Sequence, residues 1–182
     1  AASDVYKRQG IPVVGIEPSA LLTFRDEYTR FGLPGKKASA IADNSLLIEE
    51  FIANEHKKGH IRAAHFKTDK RDLKIHAHCH QKALSNPKVS FDVLNIPSGY
   101  SPTLITAGCC GMAGSFGYEK EHYEVSMSIG GLRLFPAVRK SSEATILAAN
   151  GTSCRHQIFD GTGRTAKHPV SILRAALASG KS

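Results

Sequence analysis

The residues able to do redox or metal chemistry are four cysteines and nine histidines in a chain of 182 residues. The thiols fall in three short segments: His78-Cys79-His80, Gly108-Cys109-Cys110-Gly111 and Ser153-Cys154-Arg155-His156. Thiolate is the form that binds metal, and an imidazole or guanidinium beside a thiol favours it. The double-cysteine segment continues through Gly114 to Gly117, so glycine recurs at every third position. Backbone without Cβ approaches a bound group closely, and its N–H groups can hydrogen-bond an anionic cluster. Cys79, Cys109, Cys110 and Cys154 are therefore candidate metal ligands. Gly108, Gly111, Gly114, His78, His80 and Arg155 are candidate cofactor contacts. Zinc and an iron–sulfur cluster both suit this donor set. Zinc would lack a Cys-x-x-Cys pair. Cys109 and Cys110, on extended backbone, point apart, so they serve one compact cluster only if the loop turns sharply or the cluster is not a simple cubane. A disulfide between such neighbours is strained. A single buried cysteine is usually a small core hydrophobe, a reading that four similarly placed thiols disfavour.

These thiols need a scaffold. Four apolar runs read as strands: 11–16 as a buried one, 73–77 as a half-exposed one, 103–106 and 145–148. Helical spacing links Leu21, Phe24, Tyr28 and Phe31, stopped by Gly32 and Pro34. It links Leu47, Ile48, Phe51 and Ile52, with Asp43 and Asn44 as cap candidates. A short helix is expected around 88–96. A long one runs from Glu119 past Met127 to Val138, weakened by Gly130-Gly131 and kinked or restarted at Pro136. Pro169 suits a first helical position. Alternating strands and helices imply parallel pairing. The expected fold class is α/β, a small and mainly parallel sheet of about four strands flanked by helices. Each cysteine then lies just past a strand, at the carboxyl ends where open α/β sheets bind ligands. Gly161-Thr162-Gly163-Arg164 lacks a dinucleotide fingerprint and reads as a tight turn, with Arg164 near the cysteine rim. His56, His60, His65 and His122 read as surface residues, and His168 as a helix-entry residue.

Composition fits an ordinary globular chain, with 41% apolar and 22% charged residues. No apolar run approaches the ~20 residues of a membrane helix, and no secretory leader is visible. A reducing, cytoplasmic compartment with free thiols is the expectation. The net charge of +8 comes from scattered lysines and arginines without interleaved aromatics, which disfavours nucleic acid as a partner. Asp4-Val5-Tyr6-Lys7-Arg8-Gln9 translates the end of a transposase sequencing adapter, so residues 1–9 read as a sequencing-adapter or cloning scar. Residues 10–182 read as one cysteine-rich domain, the C-terminal fragment of a larger protein.

Several segments are similar to a known module. Glu17-Pro18-Ser19, His78-Cys79-His80-Gln81-Lys82-Ala83, the run from Gly108 to Glu119 and Gly151-Thr152-Ser153-Cys154-Arg155-His156-Gln157 resemble the cysteine-rich CCG module. That module occurs in the B subunit of heterodisulfide reductase, the iron–sulfur subunit of glycolate oxidase and the C subunit of anaerobic glycerol-3-phosphate dehydrogenase. The chain looks most like the C-terminal part of FAD-linked D-2-hydroxyacid dehydrogenases of the D-lactate and D-2-hydroxyglutarate type. The resemblance implies an iron–sulfur cluster, of the 4Fe-4S type, held by Cys79, Cys109, Cys110 and Cys154. It implies FAD and a ferredoxin-like domain upstream in the parent chain, and an electron acceptor, quinone or cytochrome, at the inner face of the membrane. His78, His80, Arg155 and the loop glycines would tune the cluster's potential through charge and hydrogen bonds. Two positions depart from the pattern: Ala20 and Gln157 stand where many relatives carry cysteine. A structural zinc domain and a thiol/disulfide reductase module are the competing readings.

Overall fold

The computed structural model describes residues 11–32 and 35–178. The reading of residues 1–9 as a scar lies outside them. Four strands form the central sheet: β3 (Arg71–His76), β4 (Tyr100–Leu104), β5 (Ile146–Ala149) and β6 (Ala166–Lys167), in the order β4-β3-β5-β6 and all parallel. β1 (Val13–Gly15) and β2 (Ser45–Leu47) pair in parallel as a separate small sheet. The α/β class and the four parallel strands agree with the sequence, but the membership differs. The run at 11–16 does not join the central sheet, and β6 takes the fourth place. β1 is also exposed rather than buried, with Val13 and Val14 open to solvent.

The helices are α1 (Pro18–Leu21), α2 (Glu27–Arg30), α3 (Gly35–Asn44), α4 (Ile48–Lys57), α5 (Cys79–Leu84), α6 (Lys88–Leu94), α7 (Tyr123–Arg139), α8 (Thr152–Thr162) and α9 (Pro169–Ala176). Residues 21–31 form short, broken turns rather than one helix. Asp43 and Asn44 close α3 instead of capping α4. The α4 start is held by the Glu50 carboxylate, which accepts from Leu47 N at 2.8 Å. α7 runs unbroken through Pro136. Pro136 removes the donor for the Leu132 carbonyl, and Leu132 lies on the solvent side.

Strand alternation divides the core in two. Leu73 and Ile75 of β3 and Ala148 of β5 pack against α4, α6 and α9 through Ala53, Val93, Leu94 and Leu173. Leu147 and Ala149 face the other way, onto Leu134, Phe135 and Val138 of α7 and Ile158 of α8. β3 is thus a central, buried strand at its carboxyl end, not a half-exposed one. Gly130 and Gly161 let the Phe135 ring wedge between α7 and α8: a Cβ at either would lie 2.3 or 2.2 Å from Phe135 Cζ. Gly130 serves close approach, which offsets its poor helix propensity.

Candidate metal centre

Three strands of the central sheet deliver the thiols to one rim. After β3, His78 caps α5, its Nδ1 accepting from His80 N at 3.1 Å, and Cys79 opens that helix. After β4, Ile105 N adds one more bond to the ladder, to Ile75 O at 2.8 Å, before the chain turns into the double-cysteine loop. After β5, Gly151 caps α8 and Cys154 sits in its first turn. The sequence pattern did not reveal α5 or α8, because neither start is an amphipathic run. Among the four thiols, all free, Cys79 and Cys109 are half-buried, while Cys110 and Cys154 are 3% and 1% exposed.

The sulfurs form a connected row. Cys110 Sγ and Cys154 Sγ are 3.4 Å apart, and Cys109 hydrogen-bonds with both Cys110 and Cys79. Those two bonds hold the Cys109 thiol far below its ordinary range, with further help from the N–H groups of Gly111 and Ala113. The Gly111 N–H reaches Cys109 Sγ at 3.2 Å. Cys79 and Cys110 are pushed up, each first by its bond to Cys109. Cys154 is lowered to about 5, chiefly by its hydrogen bond with Cys110, with a hydrogen bond to His76 and the nearby His78 adding to it against burial.

The surroundings are built to hold these sulfurs still. Gly111 has φ 106°, and a Cβ there would meet Ser126 O at 2.1 Å and Gln157 Nε2 at 2.9 Å. Gln157, where a cysteine stands in the resembling pattern, is buried and gives its amide to Ser126 O and Oγ, both at 3.0 Å. A Cβ on Gly151 would strike His78 Cδ2 at 2.3 Å. Lys82 Nζ clamps the cysteine loop through Ala107 O at 2.6 Å and Gly108 O at 2.8 Å. Glu17 Oε2 accepts from Thr152 N at 2.8 Å, at the N-terminus of α8. Burial would raise the Glu17 carboxyl, but the bonds from Thr152 and Ser19 hold it below its ordinary value. Burial keeps His78 less basic than usual.

The other sequence candidates fall as follows. Gly108 and Gly114 are exposed with open space around them, so only Gly111 is packed into the site. His80 stacks on His78, with ring centroids 5.5 Å apart. Arg155 spends its guanidinium on Ala149 O at 3.0 Å, Asn150 O at 2.9 Å and Thr152 Oγ1 at 3.0 Å, stapling the β5–α8 turn. Arg164 is not at the rim. It binds carbonyls of Ser142 and Thr145 at the opposite end of β5. Ala20 is exposed on α1, beside the Glu17 contact to α8. His168 caps α9 as expected and also meets Ile16 O at 3.0 Å. His76 and Lys82 were missed. Period-two alternation places His76 opposite the apolar Leu73 and Ile75, a signal overlooked beside the histidines flanking Cys79. Two groups of side chains have ligand atoms within 4.8 Å of one another: His76, Cys110 and Cys154, and His78, Cys79 and His80.

An α/β scaffold gathers four thiols and three imidazoles on one rim, a set that could hold a metal ion. Its homologues are D-2-hydroxyglutarate dehydrogenases and the C subunit of anaerobic glycerol-3-phosphate dehydrogenase. The chain is 31% identical over 166 residues to the D-2-hydroxyglutarate dehydrogenase of Pantoea ananatis, covering 90% of this chain and 15% of that protein. It is 28% identical over 171 residues to the glycerol-3-phosphate dehydrogenase C subunit of Escherichia coli, covering 93% of this chain and 41% of that one. The Escherichia coli D-2-hydroxyglutarate dehydrogenase is 28% identical over 165 residues, again 90% of this chain and 15% of the relative. The chain thus matches a minor part of each of these proteins. No family model matches the chain, and no solved structure matches it significantly. No helix among the described residues is long and apolar enough to cross a membrane.

Proposed function

We propose that this chain is the iron–sulfur electron-transfer module of a flavin-dependent D-2-hydroxyacid oxidoreductase. The observation that carries the reading is the row Cys79, Cys109, Cys110 and Cys154, assembled from three strand ends. Four soft thiols suit iron better than hard cations. A bound cluster, of the 4Fe-4S type, supplies one-electron transfer. The lowered Cys109 and Cys154 thiols favour thiolate, the form that would bind iron, and all four would bind as thiolates, releasing any remaining protons. The Gly111 N–H donates to the Cys109 sulfur and lowers the cost of its charge. Lys82 and Arg155 fix the loop and the turn that present the sulfurs, and the stacked rings of His78 and His80 flank Cys79.

Oxidising a 2-hydroxyacid needs an acceptor for a hydride equivalent, which no side chain provides. FAD and a ferredoxin-like domain would therefore belong to the remainder of a longer parent, as the greater length of the relatives suggests. Electrons would leave towards a quinone or cytochrome, from a cytoplasmic protein peripheral to the inner membrane face. Iron and acid-labile sulfide analysis after anaerobic purification is the test. Both should be present, and the loaded chain should exchange electrons with a dithionite-reduced dye while oxidising no D-2-hydroxyacid. Stoichiometric zinc without sulfide would replace this reading with a structural zinc site. Substrate turnover by the chain alone would refute the module reading.

A further inference from the structure

We infer that His76 is a nitrogen ligand of the metal centre, binding beside Cys110 and Cys154. The inference rests on the iron–sulfur reading above and adds a ligand that is not a thiol. His76 is the last residue of β3, the inner strand paired with both β4 and β5. Its backbone pairs with Ala149 of β5, and alternation turns its ring away from Ile75 towards the α7–α8 side. There the ring is 1% exposed, and apart from the Cys154 sulfur its nitrogens have no hydrogen-bond partner. A buried polar group without a partner is costly and rare, so it calls for a specific cause. Several polar groups of the rim are spent within the protein: His78 Nδ1 on His80 N, the Gln157 amide on Ser126, the Arg155 guanidinium on carbonyls. His80 Nδ1 and Asn150 Oδ1 lack a partner as well, but among the described residues only His76 has both ring nitrogens buried among thiols.

The position supplies the cause. A ring nitrogen of His76 and the sulfurs of Cys110 and Cys154 lie within 4.8 Å of one another, a span one metal ion can bridge. All three residues are buried. Two neighbouring positions supply no ligand. Ala20 has no ligand atom, and Gln157 is committed to Ser126. Neutral imidazole in place of thiolate makes the centre less negative, which raises its reduction potential, as two histidines do in Rieske centres. The rival role is a hydrogen-bond donor to the Cys154 thiolate, with no bond to metal.

The test uses the full chain grown with 15N-histidine and purified anaerobically. Iron and sulfide content is measured first. Pulsed EPR is then recorded in the paramagnetic state reached by one-electron reduction or oxidation. A directly bonded histidine nitrogen should appear in the wild type and survive in His78→Asn and His80→Asn, since asparagine also caps helices. In His76→Cys that coupling should vanish while iron is retained, and the potential should fall. A loaded wild type showing only the weak coupling of a hydrogen-bonded nitrogen overturns the inference and leaves the iron–sulfur reading standing. So does strong coupling that persists in His76→Cys. Should His76→Cys not fold, strong coupling in the wild type that survives both asparagine variants supports the ligand, and its loss in either one overturns it. Absence of iron and sulfide defeats the iron–sulfur reading itself.

Discussion

Gly111→Ala should damage the thiol rim far more than Gly114→Ala, although both glycines have positive φ in the same loop. Gly111 has φ 106° and Gly114 φ 73°. An L-residue in left-handed backbone costs about 1–2 kcal/mol, a burden both variants share. The surroundings separate them. At Gly111 the new Cβ would sit 2.1 Å from Ser126 O, a backbone atom of α7, whereas at Gly114 nothing lies within 4 Å. Forcing helix backbone aside is overpacking, worth roughly 1–3 kcal/mol. The totals are about 2–5 kcal/mol for Gly111→Ala and about 1–2 kcal/mol for Gly114→Ala. Urea unfolding of the metal-free, reduced protein reads the difference. With a slope of about 2 kcal/mol per molar urea, the midpoints should differ by on the order of 1 M. Equal midpoints would show that α7 yields freely at Ser126, and the steric account of the cysteine loop would fail.

Three further outcomes follow from the geometry. Gly161→Ala should lower the thermal midpoint, because the Phe135 ring must leave its wedge, at a cost of about 1–3 kcal/mol. Gly131→Ala on the open side of α7 should instead stabilise by about 0.5–1 kcal/mol; the same sign for both would refute the wedge. Glu49 is fully buried, and burial pushes its pKa from 4.5 up to about 7. Its carboxyl faces the Asn150 amide, the charges of Glu17 and Glu50, and His168 at 3.8 Å. In that window the folded state holds a proton the unfolded chain has released, so stability falls as pH rises from 4.5 to 7 and levels above it. Glu49→Gln should therefore gain on the order of 3 kcal/mol relative to the wild type between about pH 5 and about pH 8. Parallel pH profiles from urea unfolding would contradict the buried-carboxyl account. Lys82→Met keeps the apolar stem and loses both carbonyl bonds, so a chelator should strip metal several-fold faster; an unchanged rate would remove the clamp.

The fold was legible where strands are apolar and β-branched, at 73–77, 103–106 and 145–148, and those runs placed all four cysteines at carboxyl ends. It was illegible where elements are too short to carry a period. β6 has two residues, and β2 hides in Leu46-Leu47, which also fits the helical spacing of α4. The site was half legible. Residue types announced the thiols, but Lys82 and Arg155 act on carbonyls that only the folded turns bring near. His76 is visible only once the sheet's two faces are assigned. Gln157 reads as a missing ligand in sequence and proves to be a brace between α8 and α7.

The Phe135 wedge has a mechanical meaning for Cys154. Gly161 lies two turns further along α8, about 10 Å from Cys154 along the axis. Sliding α8 by one residue would move the sulfur about 1.5 Å and bring a side chain, rather than Gly161, against the ring. The ring thus works as a detent at one end of a rod whose other end carries the sulfur. In the proposed iron–sulfur centre, charge would change without exchange of atoms, and each ångström of ligand movement between the two states would slow the transfer. A helix indexed in this way would give both states the same coordinates.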